Sequence, residues 1–373
     1  MGSPPLDRSL FPALDPWAYL NAAHTGTPPT PVVQAMTAAA ERQARLGSES
    51  CDGSEAAIEE VRRQAAALLG VPATDVAFVK NTTEGMGFVA SGLDWCPGER
   101  VLVPDGEFPS TAYPWVALEG RGVVVDRPPP DGLTEAIASG PPPKVVATSW
   151  VQAGRGWRAD LAALADACHD AGALLCVDAV QGLGVIPAVL AAWGVDFAAA
   201  SSFKWLLGPE GAGVLYVQGE HLDRLRVLEP GWNSVADRDA YDDRTVALDP
   251  TARRLEGGTL NTAGILGLGA GLDLLMAAGI DRIWAHADAL CDRLVGGLTA
   301  AGATVLSDRS PAHRSAIVSF TVPGRDPVDV RDSLFAEGVV CSARAGGVRV
   351  APHGYSTEDD VDRLAAVIAR LTR

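Results

Sequence analysis

Short apolar segments that alternate with helix-forming segments constrain the fold of this 373-residue chain more than any other feature. Alternation of strands and helices is typical of a parallel sheet that is covered by helices on both faces. We therefore expect an α/β fold with a mostly parallel, mixed sheet. The segments that predict its strands are Val76–Val79, Arg100–Val103, Val123–Asp126, Val145–Ser149, Leu174–Asp178 and Phe197–Ala200.

Helical patterns flank this series of strands on both sides. Pro31–Arg45 and Ser54–Leu69 precede it, and the second of these begins with a capping Ser, has acidic residues in its first turn and ends before Gly70. Two longer helices, Ala263–Ala278 and Ile280–Ala301, follow it. Gly267 and Gly269 resemble part of a dinucleotide-binding fingerprint, but they lie inside a helix, so we discount that reading.

The chain is longer than one hydrophobic core usually supports, which predicts two domains that share a cleft. A second, shorter α/β pattern follows the long helices. We expect an N-terminal arm at residues 1–18, a large domain at 19–283 and a small C-terminal domain at 284–373.

Composition argues against several classes of partner. The formal net charge of −16 repels nucleic acid phosphates and anionic membrane surfaces. No apolar run is long enough to span a membrane, and the first residues lack a signal-peptide pattern, so we expect a cytoplasmic protein. The six cysteines and six histidines are scattered without metal-ligand spacing, so we expect no metal site.

One carboxylate and one lysine follow two successive strands. Asp178 ends the strand Leu174–Asp178, and Lys204 comes shortly after Phe197–Ala200. Pyridoxal phosphate enzymes need this pair, because the carboxylate keeps the pyridinium nitrogen protonated and the lysine carries the Schiff base. Taken singly, an Asp at a strand end is more often a helix cap, and a Lys in a loop is more often solvated.

Lys80-Asn-Thr-Thr-Glu-Gly85 follows a strand and opens a helix, which makes it the best candidate for a phosphate site. Backbone N–H groups at a helix start, together with hydroxyls, bind an anion without a fully charged pocket. We assign this role to Thr82 and Thr83, with a further hydroxyl from Ser201. On the residues alone, an Asn-Thr-Thr run that simply caps a helix is the commoner case.

These motifs together resemble those of the class V aminotransferase family, pyridoxal phosphate enzymes of fold type I. The likeness rests on Asp178-Ala-Val-Gln181, Ser201-Ser-Phe-Lys204 and the glycine-rich segment 208–213, and it extends over nearly the whole chain. The family includes cysteine desulfurases, kynureninase and isopenicillin N epimerase. It implies pyridoxal 5′-phosphate as the cofactor and an α-amino acid as the substrate.

The resemblance also implies roles for three residues around the cofactor. Gln181 would hydrogen-bond its phenolic oxygen, and Phe108 would stack on its face, although a Phe beside Pro is more often plain packing. Thr259, in Glu256-Gly-Gly-Thr259, would reach the phosphate of the neighbouring subunit's cofactor. This last assignment implies a homodimer with shared active sites.

Substrate recognition is assigned to the segment 348–357, which resembles the motif that holds the α-carboxylate in kynureninase and its relatives. Arg349 is the expected clamp, because a guanidinium makes two parallel charge-assisted hydrogen bonds to a carboxylate. Arg344 is the second choice. Trp150, and Trp157 with it, suggests a pocket with aromatic walls, whereas His353 and Tyr355 fit either a pocket or a structural role.

Two departures from the family pattern bear on the reaction. Arg349 occupies the place of the persulfide-forming Cys of cysteine desulfurases, and Phe108 stands where they stack a His. Persulfide formation on the enzyme is therefore not expected. We prefer β-elimination of a sulfur-bearing side chain, a C–S lyase reaction. Transamination, epimerisation and kynureninase-type cleavage remain alternatives, as does cofactor binding without catalysis.

Overall fold

The computed structural model describes residues 3–51, 53–240 and 245–372. The helices in these ranges follow the sequence expectations closely, apart from short additional ones. They are α1 Thr30–Leu46, α2 Ser54–Leu69, α3 Thr82–Gly92, α4 Pro109–Val116, α5 Leu133–Ala138, α6 Leu161–Asp170, α7 Thr262–Ala278, α8 Ile280–Ala300, α9 Pro327–Ala336 and α10 Glu358–Leu371.

The strands form three sheets, the largest of which has seven strands. In chain order the strands are β1 Ala18–Tyr19, β2 Val76–Val79, β3 Arg100–Leu102, β4 Val124–Asp126, β5 Val145–Ser149, β6 Leu174–Asp178, β7 Phe197–Ser201, β8 Gly213–Val217, β9 Thr304–Val305, β10 Val318–Thr321, β11 Val339–Val340, β12 Ser342–Arg344 and β13 Gly347–Val350.

The seven-stranded sheet has the order β2-β8-β7-β6-β5-β3-β4. Strands β3 to β7 pair in parallel, whereas β8 runs antiparallel to both of its neighbours, β2 and β7. The sheet is therefore mostly parallel and mixed, as predicted. The carboxyl ends of β2, β5, β6 and β7 consequently meet at one edge, where open α/β sheets bind their ligands.

Both faces of this sheet are buried. Along β7, Ala198 and Ala200 belong to the apolar core on one face, and Phe197 and Ala199 belong to the core on the other. Alternation of side chains along a strand explains this division. The small side chain of Ala199 also permits the close approach of α3, since a Cβ added at Gly85 would lie 2.7 Å from the Ala199 Cβ.

The glycines of α7 serve helix packing, as their position inside a helix predicts. A Cβ added at Gly267 would lie 2.7 Å from Met36 of α1, and one at Gly269 would lie 2.5 Å from Val61 of α2. The glycines therefore let α7 approach α1 and α2 closely. One detail of α2 differs from the expectation, because Gly53 is its N-cap and Ser54 is its first helical residue.

The C-terminal part of the chain builds a four-stranded sheet of order β12-β13-β10-β9, against which α8, α9 and α10 pack. The separate pair β1-β11 joins the N-terminal segment to this part of the chain. The proposed boundary at 283/284 falls inside α8, and the division into domains stays a prediction. Among the described residues, no single helix has the length and apolar composition to cross a membrane, and α7 with α8, bent by 79°, meets that test only as a pair.

Candidate functional site

A cavity of about 420 Å³ lies at the carboxyl edge of the large sheet and brings most of the predicted site residues together. Residues that follow β2, β6 and β7 line one part of it, and residues from β12 and β13 line another. The predicted residues that line this cavity are Thr82, Thr83, Phe108, Asp178, Gln181, Ser201, Lys204, Arg344 and Arg349.

Lys204 lies in a tight turn after β7. Its carbonyl oxygen accepts a hydrogen bond from Leu207 N–H at 3.2 Å, and Leu207 adopts a left-handed backbone with φ of 58°. That conformation costs about 1–2 kcal/mol for a side chain of this kind. Gly26 packs directly on the turn, since a Cβ added there would lie 2.1 Å from the Lys204 oxygen. The lysine is therefore held by a strained and closely packed backbone.

The electrostatic surroundings of Lys204 favour a neutral amine. Burial lowers its pKa from 10.5 to about 8. The cations Arg349 and Arg344 add to this fall, whereas Asp178 opposes it. Its ammonium nitrogen lies 5.6 Å from the centre of the Phe108 ring and 5.7 Å from that of Phe203. Because only the neutral amine attacks a carbonyl, the site prepares this lysine as a nucleophile.

Asp178 is a buried carboxylate with defined partners. Its Oδ1 accepts a hydrogen bond from Val180 N–H at 3.0 Å, and its Oδ2 accepts one from the Thr111 hydroxyl at 2.8 Å. Burial raises its pKa, while Lys204 and these two donors oppose the rise. A cationic ring nitrogen beside this carboxylate would offset its cost of burial, so the residue fits a protonated pyridinium.

Thr82 and Ser201 join the start of α3 to the end of β7. Thr82 N–H donates to the Ser201 hydroxyl at 2.8 Å, Ser201 N–H donates to the Thr82 hydroxyl at 3.0 Å, and the two hydroxyls lie 2.9 Å apart. Only one of the two hydroxyl hydrogens is needed for that last contact. Whichever residue donates, one hydroxyl hydrogen remains for an anion in the cavity.

The neighbouring Thr83 is oriented by α4. Its hydroxyl donates to the Ser110 hydroxyl at 2.8 Å, which leaves the Ser110 hydrogen free to donate further. Both residues line the cavity. The start of α3 therefore supplies helix dipole and hydroxyls at one end of the cavity, as a phosphate requires.

Gln181 is held in a single amide orientation. The indole Nε1–H of Trp205 donates to its Oε1 at 2.9 Å, and its Nε2 donates to the Ala23 carbonyl at 3.0 Å. An indole only donates, so the amide oxygen must face Trp205. The second Nε2 hydrogen is left for a group in the cavity, in agreement with a contact to an anionic oxygen.

Arg349 is a buried cation whose donors are only partly used. Its side chain is 2% exposed, and Nη1 donates to the Ala153 carbonyl at 2.6 Å. Its Nε and Nη2 are buried without a hydrogen-bond partner. Burial, and secondarily Arg344, lowers its pKa from 12.5 to about 10. Such a cation requires an anion with two acceptor oxygens, because unpaired buried charges are costly.

Two predicted residues lie outside this cavity. The Trp150 side chain is 2% exposed and packs edge-on against Trp193, with ring centres 5.4 Å apart, in a different cavity. This position corrects the expectation that Trp150 lines the substrate pocket: its side chain contacts Gly182, where a Cβ would lie 2.3 Å from the indole. Thr259 lines a third cavity with Lys80.

The other aromatic candidates have structural contacts. Trp157 stacks on His313 at 4.9 Å. His353 is fully buried, and its Nε2 lies 3.0 Å from the carbonyl oxygen of Trp205, next to Lys204 in the chain. Burial lowers the pKa of His353 to about 4, so the ring is neutral and donates to that carbonyl. His353 therefore supports the lysine turn from behind.

Several residues at the site have no signal in the sequence. His24 lines the cavity 3.4 Å from Nη2 of Arg344, and burial lowers its pKa. Glu107, Thr111 and Ser149 lie behind Asp178 and connect to it through hydroxyls. Their positions in a loop, a helix and a strand are distant in the chain, so only the fold brings them together.

No described cysteine lines the cavity. Cys341, the nearest in sequence to Arg344, is 7% exposed in the core of the C-terminal part, and burial raises its pKa to about 12. Cys96, Cys168, Cys176 and Cys291 are likewise free thiols elsewhere, and the Cys51 side chain lies outside the described residues. In the described ranges, no group of three or more His, Cys, Asp or Glu side chains is arranged so that it could hold a metal ion.

Comparison with known proteins agrees with this geometry. Residues 18–364 match the family described as aminotransferase class V. A "probable cysteine desulfurase" of Methanothermobacter thermautotrophicus is 30% identical over 98% of this chain and 97% of its own length. The cysteine desulfurase of Thermococcus onnurineus, solved without ligand, is 25% identical with a TM-score of 0.88, over 100% of this chain and 99% of that one.

A second solved structure shares the fold at lower identity. It is a complex between the cystine C–S lyase C-DES and its reaction product, cysteine persulfide. It is 23% identical to this chain with a TM-score of 0.89, over 96% of this chain and 99% of that one.

Proposed function

The chain belongs to the aminotransferase class V family and is a pyridoxal phosphate-dependent enzyme that acts on an α-amino acid, and from this premise we propose that it cleaves a Cβ–S bond by β-elimination. Relatives named for desulfuration of cysteine and for cystine C–S lysis support the choice of a sulfur-bearing substrate.

The observation that carries the proposal is that Arg349, in the same cavity as Lys204, has two buried donors, Nε and Nη2, without a partner. An α-carboxylate has the charge and the two parallel acceptors that Nε and Nη2 lack. A substrate held there presents its amine and its Cα hydrogen to the rest of the cavity, which contains Lys204. The pair therefore favours an amino acid over a neutral ligand.

The residues on the opposite side of the cavity fit the cofactor. One hydroxyl hydrogen of the Thr82–Ser201 pair and the start of α3 suit its phosphate, Asp178 suits its ring nitrogen, and Gln181 suits its phenolic oxygen. Bound pyridoxal phosphate supplies a ring that withdraws electrons from Cα of an attached amino acid. Phe108 lines the same cavity, would cover one face of that ring, and has no group that transfers protons.

Lys204 has two tasks in this proposal. Its lowered pKa provides the neutral amine that would attach the cofactor, and the same amine, when free, would remove the Cα proton of the substrate. Asp178, as a carboxylate, would hold a proton on the ring nitrogen. Arg349 limits rotation of the substrate, so that the Cα–H bond stays directed at Lys204.

Departure of sulfur completes the reaction. When the Cα proton has moved to Lys204, the electron pair of the Cα–H bond forms a Cα–Cβ double bond, and the Cβ–S bond breaks with its pair on sulfur. A thiolate or persulfide leaves without a dedicated acid because its conjugate acid is comparatively strong. None of the five cysteines whose side chains are described lines the cavity, and we propose that the sulfur leaves on the product.

Product analysis tests this assignment. Purified enzyme loaded with cofactor is incubated with cysteine, cystine, S-alkyl cysteines and alanine, and pyruvate, sulfide or persulfide, and pyridoxamine phosphate are measured separately. The eliminated 2-aminoacrylate takes up water and releases ammonia to give pyruvate, so we expect pyruvate in equal amount to released sulfur, and no pyridoxamine phosphate. Pyridoxamine phosphate with a keto acid that retains sulfur would instead identify an aminotransferase and refute the elimination.

We further propose a homodimer in which Thr259 completes the partner's site. Within its own protomer Thr259 lies away from the Lys204 cavity, as this role requires. A buried ion pair supports its loop, because Glu256 accepts from Arg62 Nη2 at 3.1 Å and from Phe78 N–H at 2.7 Å. Trp232 is 48% exposed in a segment that packs on the same loop at Gly257.

Mixing an inactive variant with a weakened one tests the shared site. Lys204→Ala disables the site of its own protomer, and Thr259→Ala weakens the site of the partner protomer, to which Thr259 is contributed. In a mixed dimer, one of the two sites has both an intact lysine and an intact threonine. We expect the mixture to regain activity that neither variant has alone. Absence of recovery from co-expressed variants, with mixed dimers confirmed by mass, would contradict the role of Thr259.

We also propose a cytoplasmic location. The five cysteines whose side chains are described are free thiols, and free thiols are typical of proteins in reducing compartments. Fractionation of the cells that express the protein tests this location.

A further inference from the structure

A line of hydroxyl groups joins Asp178 to a second carboxyl group, Glu107, that the proposed mechanism does not use. Thr111 donates to Asp178 Oδ2 at 2.8 Å, and its hydroxyl lies 3.5 Å from that of Ser149. The Ser149 hydroxyl in turn is hydrogen-bonded to Glu107 Oε2. The three elements involved are α4, the end of β5 and the loop after β3.

Glu107 is well fixed at the far end of this line. Its Oε1 accepts from Ser149 N–H at 2.8 Å and lies 3.2 Å from the Thr148 hydroxyl. These groups on β5 are uncharged, and Asp178 on β6 is the ionised group that acts on Glu107 across the line. Burial, with a smaller contribution from Asp178, raises the pKa of Glu107 from 4.5 to about 7, so its charge changes near neutrality.

The number of hydrogens in the line gives it a direction. With a proton on Glu107, each member donates to the next: Glu107 to Ser149, Ser149 to Thr111, and Thr111 to Asp178. Without that proton, the Ser149 hydrogen turns to Glu107, and Thr111 loses its donor. Ionised Glu107 also adds a second negative charge behind Asp178, which makes that carboxylate more basic.

We propose that Glu107 is a positioning residue that acts through Ser149, Thr111 and Asp178 to decide where the proton between Asp178 and the cofactor's ring nitrogen resides. Neutral Glu107 stabilises the Asp178 carboxylate and leaves the proton on the ring nitrogen. Ionised Glu107 draws that proton towards Asp178 while its own proton goes to solvent. This inference rests on the cofactor of the proposed function but not on the fate of the substrate.

Ring-nitrogen NMR tests the inference on the holoenzyme, loaded with pyridoxal phosphate that is isotopically labelled at the ring nitrogen. The chemical shift reports whether that nitrogen carries the proton. In the wild type we expect the signal to move from the protonated towards the unprotonated position as the pH rises through about 7. Glu107→Gln places an amide N–H where neutral Glu107 has its O–H, so its signal should stay at the protonated position throughout.

Three further variants distinguish an effect of Glu107 on Asp178 through the hydroxyl groups from a purely structural role of these residues. Ser149→Ala and Thr111→Val interrupt the line while leaving the Ser149 backbone N–H bonded to Glu107, so the pH-dependent movement should shrink in both. Thr148→Val is the matched control, because the Thr148 hydroxyl contacts Glu107 and the Ser149 carbonyl but neither hydroxyl of the line. Its signal should still move with pH.

Each outcome is decisive. A Glu107→Gln signal that moves with pH as the wild-type signal does, or a movement unaffected by both Ser149→Ala and Thr111→Val, overturns the effect through the hydroxyl groups. If Glu107→Gln fails to fold, these two variants decide alone. A wild-type chain that binds no cofactor has no ring signal and overturns the proposed function with this inference, whereas a normal titration with an unexpected product overturns only the reaction.

Discussion

Replacement of Arg349 by methionine should weaken the binding of amino acids and leave the protein as stable as the wild type or more so. Methionine has a similar reach, no charge and good packing properties. Most substitutions at a buried residue reduce stability, and this one differs because Arg349 has a buried charge with two unused donors. The two effects are therefore expected to have opposite signs.

The contacts of Arg349 set the magnitudes. A fall of its pKa from 12.5 to about 10 corresponds to a cost of about 3 kcal/mol for keeping it charged in the fold. Methionine removes that cost but leaves the Ala153 carbonyl without its donor, which costs about 1–3 kcal/mol. The net change in the free energy of unfolding should lie between about zero and 2 kcal/mol in favour of the variant.

The free energy of amino acid binding should change more than the free energy of unfolding. Each charge-assisted hydrogen bond to a carboxylate contributes about 1.5–3 kcal/mol, and two are lost. Affinity for an α-amino acid should then fall between about 10²-fold and 10⁴-fold, at about 1.4 kcal/mol per tenfold change. Arg349→Lys keeps the charge but lacks the planar guanidinium, so its affinity for an α-amino acid should lie between those of the wild type and Arg349→Met.

Two measurements check these expectations. Urea denaturation of the cofactor-free protein gives the free energy of unfolding, and titration of the holoenzyme with alanine or alaninamide, followed by visible absorbance, gives affinity. Alaninamide lacks the carboxylate, so the wild type should prefer alanine and Arg349→Met should not. Arg344→Met is the matched control, because Arg344 is exposed at the same cavity. Loss of stability in Arg349→Met with an unchanged preference for alanine would refute the reasoning.

Three further predictions concern other parts of the site. Because the pKa of Lys204 is about 8, the rate at which the cofactor-free protein takes up pyridoxal phosphate should rise about tenfold per pH unit and level off above pH 8. A rate, measured by stopped-flow absorbance, that keeps rising above pH 8 as for an ordinary lysine would contradict this. Gly26→Ala should reduce cofactor affinity, measured by equilibrium dialysis, because its Cβ would meet the Lys204 oxygen at 2.1 Å, whereas Gly87→Ala, on open helix surface, should not. Because the pKa of Glu107 is raised, its protonation contributes stability that is fully present below pH 4.5 and is lost as the pH rises through about 7. The free energy of unfolding of the wild type, from urea denaturation, should therefore fall relative to that of Glu107→Gln over this range. Plots of unfolding free energy against pH that run parallel for the two proteins would exclude the titration.

The central strands and the mostly parallel sheet followed from short apolar runs, because β2, β5, β6 and β7 are buried on both faces. β5 and β6 begin and end at the predicted residues. The antiparallel strand β8 was not among the expected strands, and its direction relative to β2 and β7 is not encoded in its own residues. Ser54 was expected as a helix cap, but the left-handed backbone of Gly53 starts the helix one residue earlier.

The position of Asp178 and Lys204 at the edge of the sheet was predictable because Asp178 ends one strand and Lys204 comes three residues after another, and carboxyl ends of parallel strands meet at one edge. Trp150 also follows such a strand, yet its side chain points to the core, because Gly182 leaves room for the indole there. The amino acids after a strand can therefore be read from the sequence, but the side of the sheet they face depends on which neighbour leaves space.

The sequence by itself determined the α/β sheet, the identity of the lysine and carboxylate at its edge, and the guanidinium suited to a carboxylate, because these depend on local periodicity and on residue type. Only the tertiary structure decided that Arg349 keeps two donors unpaired, that Trp205 orients Gln181, and that Glu107 reaches Asp178 through two hydroxyls. Such features depend on distances and burial among residues far apart in the chain, which no local pattern encodes.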